Sequence, residues 1–166
     1  MNIRFVQNKD TESLFHMMCI LDEETPFMMY EPGERKKNIN AINNLKHKIN
    51  NASDDFILIA ENRHGEIVGY IWAERGRFNR ILHTAYIVIG IRKEYQQQGI
   101  GTEFFKQLDQ WAKANGIVRL ELTVECNNMV AKHLYEKYGF VVEGIRRKSM
   151  KLDHEFVDEF YMAKLL

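Results

Sequence analysis

An apolar segment in the middle of the chain runs through a short polar turn directly into an amphipathic helix, and this junction narrows the choice of folds most. The strand-forming stretch covers His83 to Ile91. The helical stretch covers Gly99 to Asn115, followed by Gly116 where a glycine commonly ends a helix. One face of that helix is apolar at helical spacing: Ile100, Phe104, Phe105, Leu108 and Trp111. A chain that joins such elements belongs to the mixed α/β class.

The other elements give a predicted order β-α-α-β-β-β-α-β-α-β-β. Strands are predicted where β-branched and aromatic residues cluster, over residues 2–7, 55–61, 66–74, 119–124, 140–145 and 156–164. A first helix, which Asp10 or Thr11 is predicted to cap, stops before Pro26. A second helix is predicted from apolar residues spaced three or four apart, and a third spans 128–138. The apolar residues of the second are Ile39, Ile42, Leu45 and Ile49.

Composition is that of an ordinary globular protein. Of 166 residues, 45% are hydrophobic and 28% are charged, which excludes a disordered chain. The 23 basic residues equal the 23 acidic ones, so no overall basic field attracts nucleic acid. Apolar runs stay far below the roughly 20 residues that span a bilayer, and the first residues lack the features of a secretory signal. We expect one domain over residues 1–166, cytoplasmic, with no membrane or nucleic-acid partner.

The turn before the middle helix has the character of an anion-binding loop. It reads Gln96-Gln97-Gln98-Gly99-Ile100-Gly101-Thr102. The unpaired N–H groups at a helix start can hold a phosphate, and glycine lets the ligand approach the backbone. The loop is neither a Walker A loop nor the three-glycine loop of dinucleotide folds. The spacing alone fits a structural turn without a ligand equally well.

Two motifs resemble those of the GNAT superfamily of N-acetyltransferases. Gln96 to Gly101 is similar to its Q/R-x-x-G-x-G/A acyl-CoA-binding motif, and Asn128 to Phe140 is similar to its N-x-x-A-x-x-L-Y-E-K-x-G-F segment. The two are separated by one helix and one strand, as in that family. The resemblance covers nearly the whole element order. It implies a central, strongly twisted mixed sheet flanked by about four helices.

The resemblance also implies roles for individual residues. The strand end would pair with the pantetheine arm, with Gly90 at a bulge that turns an amide toward the thioester. The backbone amides of Gln97 through Thr102 would hold the pyrophosphate, and Tyr135 would give its hydroxyl proton to the CoA sulfur. The implied cofactor contacts are Ile89, Gly90, Ile91, Gln96, Gln97, Gln98, Gly99, Ile100, Gly101, Thr102, Asn128 and Lys137.

The reaction that these residues imply needs acetyl-CoA and no metal. A neutral amine must attack the thioester, and an amine with a pKa near 10.4 must first lose a proton. Glu74 or a water molecule is the candidate base, and His83 is a weaker one. Cys126 follows a strand and invites a nucleophile hypothesis, but the sequence places no histidine beside it, which favours an inert thiol.

Three glutamines depart from the family pattern. The family often places Arg, Gly and a basic residue before the first motif glycine, where this chain has Gln96, Gln97 and Gln98. Backbone amides still remain for the pyrophosphate, but the side-chain charge is missing. We therefore expect weaker or differently supported phosphate binding.

The loop from Glu24 to Arg35 is the predicted site of acceptor selectivity. It combines carboxylates with large apolar residues, which suits an amine-bearing acceptor. The predicted acceptor-binding residues are Glu24, Phe27, Met28, Tyr30 and Glu31. The loop could instead only cover the core.

The predicted function is therefore direct transfer of an acetyl group from acetyl-CoA to an amine of a small molecule or protein. A CoA-binding module that senses acyl-CoA without turnover is the alternative, and a nucleotide-binding protein is a third. Tyr135 could be only a packing residue, and Asn128 only a helix cap. The apolar closing strands are compatible with a homodimer and with a monomer.

Overall fold

The computed structural model describes residues 1–38, 40–51 and 54–166. Within these residues seven strands form one mixed sheet in the order β1-β2-β3-β4-β5-β7-β6, with five α-helices. The strands are β1 (Asn2–Phe5), β2 (Phe56–Glu61), β3 (Ile67–Arg75), β4 (Thr84–Ile91), β5 (Arg119–Glu125), β6 (Val141–Leu152) and β7 (Glu155–Leu165). The helices are α1 (Thr11–Glu24), α2 (Glu34–Lys37), α3 (Ala41–Asn50), α4 (Ile100–Ala114) and α5 (Met129–Lys137). The mixed α/β class is confirmed.

The chain forms two compact units. The first comprises Met1–Glu74 and Val88–Leu108, and the second comprises Arg75–Ile87 and Asp109–Leu166. None of the helices in the described part of the chain has the length and apolar character needed to cross a bilayer.

In the first unit, α1 and α3 pack on the strands through an apolar cluster. Its buried members are Leu14, Met17, Met18, Leu21, Leu45, Ile59, Ile67 and Tyr70. Helix α1 begins at Thr11, at the predicted position. Asp10 precedes α1, but its side chain does not cap the helix. Its carboxylate instead accepts hydrogen bonds from Arg4 Nη1 at 2.7 Å and from Arg4 Nη2 at 2.8 Å. Since Arg4 also binds Glu61 on β2, this cluster fixes β1 against β2 and the start of α1.

Some predicted boundaries in the first unit were wrong. The strand predicted over residues 2–7 ends at Phe5, and the loop predicted over Glu24 to Arg35 already contains the start of the one-turn helix α2 at Glu34. Gly33, at φ +77°, precedes α2 in a conformation that glycine adopts without strain. Helix α3 begins at Ala41, and Ile39, which we predicted to belong to it, lies outside the described residues.

In the second unit, β5 pairs with β4 in parallel and with β7 in antiparallel orientation. Strand β6 pairs with β7 over almost its whole length and reaches Leu152, seven residues beyond the predicted end at Ile145. Its residues are mostly exposed because β6 is the edge of the sheet. An edge strand with both faces in solvent has no apolar alternation to reveal it.

The β6–β7 turn has two strained residues. Asp153 and His154 have φ values of +46° and +71°, the signs of a type I′ turn, which favours Asn-Gly or Asp-Gly. Because a side chain at positive φ costs about 1–2 kcal/mol, His154→Gly should raise the melting temperature by roughly 2–8 °C. Glu155→Gly, one residue into β7, is the matched control and should lower it. A lower melting temperature for His154→Gly would contradict this assignment of strain.

Candidate active site

The junction between β4 and α4 is anchored by Glu24 at the end of α1. The Glu24 carboxylate accepts hydrogen bonds from the Arg92 guanidinium at 3.2 Å and from the backbone N–H of Lys93 at 2.9 Å. These contacts hold the first residues after the strand in place. Glu24 is therefore part of the support of the glycine loop, and its predicted role toward an acceptor stays a prediction.

Two of the three glutamines brace the same loop through side-chain hydrogen bonds to its backbone. Gln96 Nε2 donates to the carbonyl of Ile91 at 3.0 Å, and Gln98 Nε2 donates to the carbonyl of Glu94 at 3.0 Å. Gln97 has a φ of +60°, in the left-handed region that favours glycine. Many members of the family have a glycine at this position of the motif, which adopts a positive φ without strain. This chain forms the same turn with Gln97, which is strained there.

The start of α4 fits a pyrophosphate. Residues 96–99 are exposed, and Gly99 at φ +83° has open space where a Cβ would stand. A Cβ at Gly101 would meet only Ile91 Cδ1, at 3.8 Å. Because the first N–H groups of a helix have no acceptor within it and carry partial positive charge, they can bind an anion here. The residues present therefore fit the phosphate end of a CoA molecule.

Gly90 lies at a tightly packed position of β4. A Cβ on Gly90 would lie 2.7 Å from Leu21 Cδ1 and 3.0 Å from Tyr70 Cε1. A side chain at this position would therefore force the side chains of Leu21 and Tyr70 to shift. The predicted bulge at Gly90 stays a prediction.

In the second unit, α5 carries Asn128 and Tyr135. The side-chain oxygen of Asn128 accepts the N–H of Ala131 at 3.2 Å and caps the helix, as predicted. Tyr135 is partly buried, and its ring packs edge-on against Phe140 with centroids 6.0 Å apart. Burial, with a smaller effect from Tyr86, raises the pKa of Tyr135 to about 12. The phenol thus keeps its proton at neutral pH, as a proton donor must.

Cys126 and Lys137 lie at the two ends of this segment. The N–H of Cys126 donates to the carbonyl of Asp158 at 2.9 Å. Burial, followed by the charges of Asp158 and Glu159, raises the pKa of the Cys126 thiol, which disfavours the reactive thiolate. Lys137 is exposed in the last turn of α5, and its predicted cofactor contact stays a prediction.

Comparison with known proteins decides the family. Residues 15–140 match the sequence model of the acetyltransferase (GNAT) family. The chain belongs to this family. The resemblance drawn from the two motifs is thereby confirmed, and the family is one of acyltransferase enzymes.

Individual relatives agree with this assignment. The L-amino acid N-acetyltransferase AaaT of Escherichia coli (strain K12) is 30% identical over 105 residues, which are 61% of this chain and 63% of that protein. The match thus spans less than two thirds of that relative's length. A GNAT-family acetyltransferase from Streptococcus pneumoniae has a TM-score of 0.90 and 29% identity, covering 99% of both chains. The structure of yncA from Salmonella typhimurium, solved with its cofactor acetyl-CoA, has a TM-score of 0.82 at 17% identity, covering 99% of this chain and 93% of that one. At that identity, the likeness concerns the fold alone.

The candidate base of this GNAT-family protein is weakly paired. Glu74 lies exposed on β3 in the first unit, and Lys48 Nζ lies 3.8 Å from its carboxylate. Such an exposed pair is screened by water. His83 is also exposed, with its carbonyl accepting the N–H groups of Val118 and Arg119. The identity of the base stays a prediction.

The predicted acceptor loop is fastened to α1 by Arg35. Its guanidinium binds the buried carboxylate of Asp22 at 2.6 and 3.0 Å and lies 4.2 Å from the centre of the Tyr30 ring. Met28 packs against the apolar cluster, whereas 39% of Phe27 is exposed. The Glu31 N–H donates to the Glu34 carboxylate at 2.9 Å. The loop is thus ordered by its own contacts, and acceptor binding by these residues stays a prediction.

Sequence reasoning missed two buried carboxylates in the second unit. Glu125 ends β5 and Glu159 lies on β7, where they are directly opposite each other and only 4% and 6% exposed. Neither residue stands in a motif. The sequence gives no signal for Glu125, which falls on a polar position of the alternating β5 sequence. Only the structure shows that it is buried together with Val124.

Proposed function

We propose that this protein is an N-acetyltransferase that moves the acetyl group of acetyl-CoA directly to an amine in a ternary complex. The observation that carries the proposal is the exposed glycine loop at the start of α4, in a chain of the GNAT family. When bound, acetyl-CoA supplies an acetyl thioester, which loses its sulfur as a thiolate when an amine attacks. No covalent nucleophile of the protein is required.

The chain's own residues have distinct tasks in this proposal. The backbone amides of the loop Gln96–Thr102 bind the pyrophosphate, and the backbone of Ile89–Ile91 pairs with the pantetheine arm. Glu74 or a water molecule takes the proton that the amine must lose. Tyr135 donates its hydroxyl proton to the departing sulfur, and its raised pKa keeps that proton available. Holding both reactants together can contribute up to about 7–11 kcal/mol.

The acceptor is proposed to be an amine of a small molecule or of a protein. One relative is named an L-amino acid N-acetyltransferase, and another, 32% identical over 88 residues, is named a ribosomal protein bS18 alanine N-acetyltransferase from Bacillus subtilis. We further propose a cytoplasmic single domain, compatible with a homodimer. With equal numbers of acidic and basic residues, the chain has no charge excess for nucleic acid.

Thermal shift with acetyl-CoA, CoA, ATP and NAD at matched concentrations tests this proposal. A ligand at about 100 times its dissociation constant adds roughly 2.7 kcal/mol. For a chain of this size the melting temperature should then rise by roughly 5–10 °C with the two CoA species alone. A shift with ATP or NAD only would favour a nucleotide-binding protein. A CoA shift without thiol release in the presence of amines would favour a sensor.

A further inference from the structure

Three charged residues of the second unit form one row across neighbouring strands. The β5–β7 register places Glu125 opposite Glu159, and the β6–β7 register places Arg146 opposite Glu159. Side chains directly opposite each other in antiparallel strands lie on the same face and within contact range. We call Glu125, Glu159 and Arg146 the carboxylate row.

Some carboxylate oxygens of the carboxylate row lack hydrogen-bond partners among the described residues. Glu159 receives Arg146 Nη1 at 3.2 Å, and the Arg146 side chain is half-exposed. Neither carboxylate oxygen of Glu125 has a hydrogen-bond partner among the described residues, although both are fully shielded from solvent. Burial, followed by the charge of Glu159, raises the pKa of Glu125. With Glu125 ionised, the row carries one net negative charge.

Such an arrangement is costly for the fold alone. A buried carboxylate without hydrogen bonds destabilises a protein, and an apolar residue of similar volume would serve packing better. A metal ion is a poor fit, because no group of three or more metal-ligating side chains occurs within the part of the chain that the structure describes. An ammonium group fits better, since it brings one positive charge and three N–H donors to two unused acceptors.

We propose that Glu125, supported by Glu159, binds an ammonium group of the acceptor. This inference rests on the proposed acetyl transfer. The amine that attacks the thioester must be neutral, so it cannot remain the ammonium held by the row. The ammonium must therefore be a second cationic group of the same molecule. The substrate class is an amine that carries an additional positive charge, such as a diamine or a basic amino acid.

The effect of the second positive charge can be measured by comparing two acceptors of equal length, only one of which carries it. 1,4-Diaminobutane carries a second ammonium, and 4-amino-1-butanol carries a hydroxyl at the same place. The wild-type protein should acetylate the diamine with a kcat/KM at least about ten-fold higher, the size of a lost charge-assisted hydrogen bond. Glu125→Gln should remove this preference, so that the two acceptors have equal kcat/KM. The matched control, Glu121→Gln on the same strand and face, changes a carboxylate already paired with Arg119 and should keep the preference.

Direct binding separates this inference from the proposed function. Titration of 1,4-diaminobutane into the protein with CoA should shift the ¹³Cδ resonance of Glu125, and the Glu125→Gln variant should bind the diamine at least about ten-fold more weakly. If neither acceptor is acetylated, the two compounds are not acceptors, acetyl transfer to other amines is untouched, and the titration alone decides the inference. Equal kcat/KM for the two acceptors, or a preference that survives in Glu125→Gln, would overturn it. Glu125→Met, which removes the buried charge, is the second variant and should fold at least as stably as wild type.

Discussion

Replacing Tyr135 with phenylalanine should lower kcat for acetyl transfer by about 100-fold or more and leave the affinity for CoA unchanged. A positioned proton donor typically contributes about 10²–10⁴-fold to a rate. Phenylalanine keeps the ring that packs edge-on against Phe140 and removes only the hydroxyl. A tyrosine that serves packing alone would therefore tolerate this change with its rate intact.

Steady-state kinetics and CoA binding, measured on the same preparation, separate the two roles. Tyr138→Phe is the matched control, because it removes a hydroxyl from the C-terminal end of the same helix and should keep its rate. A Tyr135→Phe rate within about two-fold of wild type would assign Tyr135 to packing. Weaker CoA binding together with an unchanged kcat would instead make its hydroxyl a cofactor contact.

The pH dependence of the rate follows from the raised pKa of Tyr135. A tyrosine acts as an acid only while it is protonated, and burial moves its loss of the proton from near 10 to about 12. Tyr135 should therefore cause no fall in kcat between pH 7 and about pH 10. A change of kcat with pH in that range that also occurs in the Tyr135→Phe variant is caused by the titration of another residue. A fall near pH 8 that disappears in the variant would contradict the burial of this phenol.

The elements around the glycine loop could be predicted because each carries its own local signal. Helix α4 has an apolar face at helical spacing and a glycine after its end. Its predicted face is buried at Ile100, Phe104, Phe105 and Leu108, whereas Trp111 is only partly buried. Helix α5 has Asn128 as its cap. Strand β6 beyond Ile145 has no such signal, because an exposed edge strand needs no apolar face. Its length depends on pairing with β7, which local sequence does not report.

Contacts between distant residues explain what remained hidden in the candidate site. The support that Glu24 gives to Lys93 joins residues 69 positions apart. The carboxylate row depends on the register of β5 against β7, and a shift of one residue would turn Glu159 to the other face. The two motifs indicate the family and its glycine loop. The residues that we propose to bind the acceptor, Glu125 and Glu159, meet only through long-range strand pairing, and sequence reasoning missed them.

Gly101→Glu should abolish CoA binding without destabilising the fold, and this separation is the strongest test of the glycine loop. A Cβ at Gly101 has only an ordinary contact with Ile91, and a residue other than glycine inside a helix gains up to about 1 kcal/mol. A carboxylate in the first turn also interacts favourably with the helix dipole. The melting temperature without ligand should therefore stay equal or rise by roughly 2–4 °C.

The same carboxylate competes with the pyrophosphate for the N–H groups at the start of α4 and repels its charge. The dissociation constant for CoA should rise by at least about 100-fold, or roughly 2.8 kcal/mol. Gln110→Glu is the matched control, because it adds the same charge to an exposed position of the same helix nine residues further on, about 13–14 Å along the axis. Isothermal titration with CoA should find wild-type affinity for this control. If Gly101→Glu also kept wild-type affinity while its fold stayed intact, the pyrophosphate would bind elsewhere, because an anion held by these N–H groups cannot share them with a fixed carboxylate.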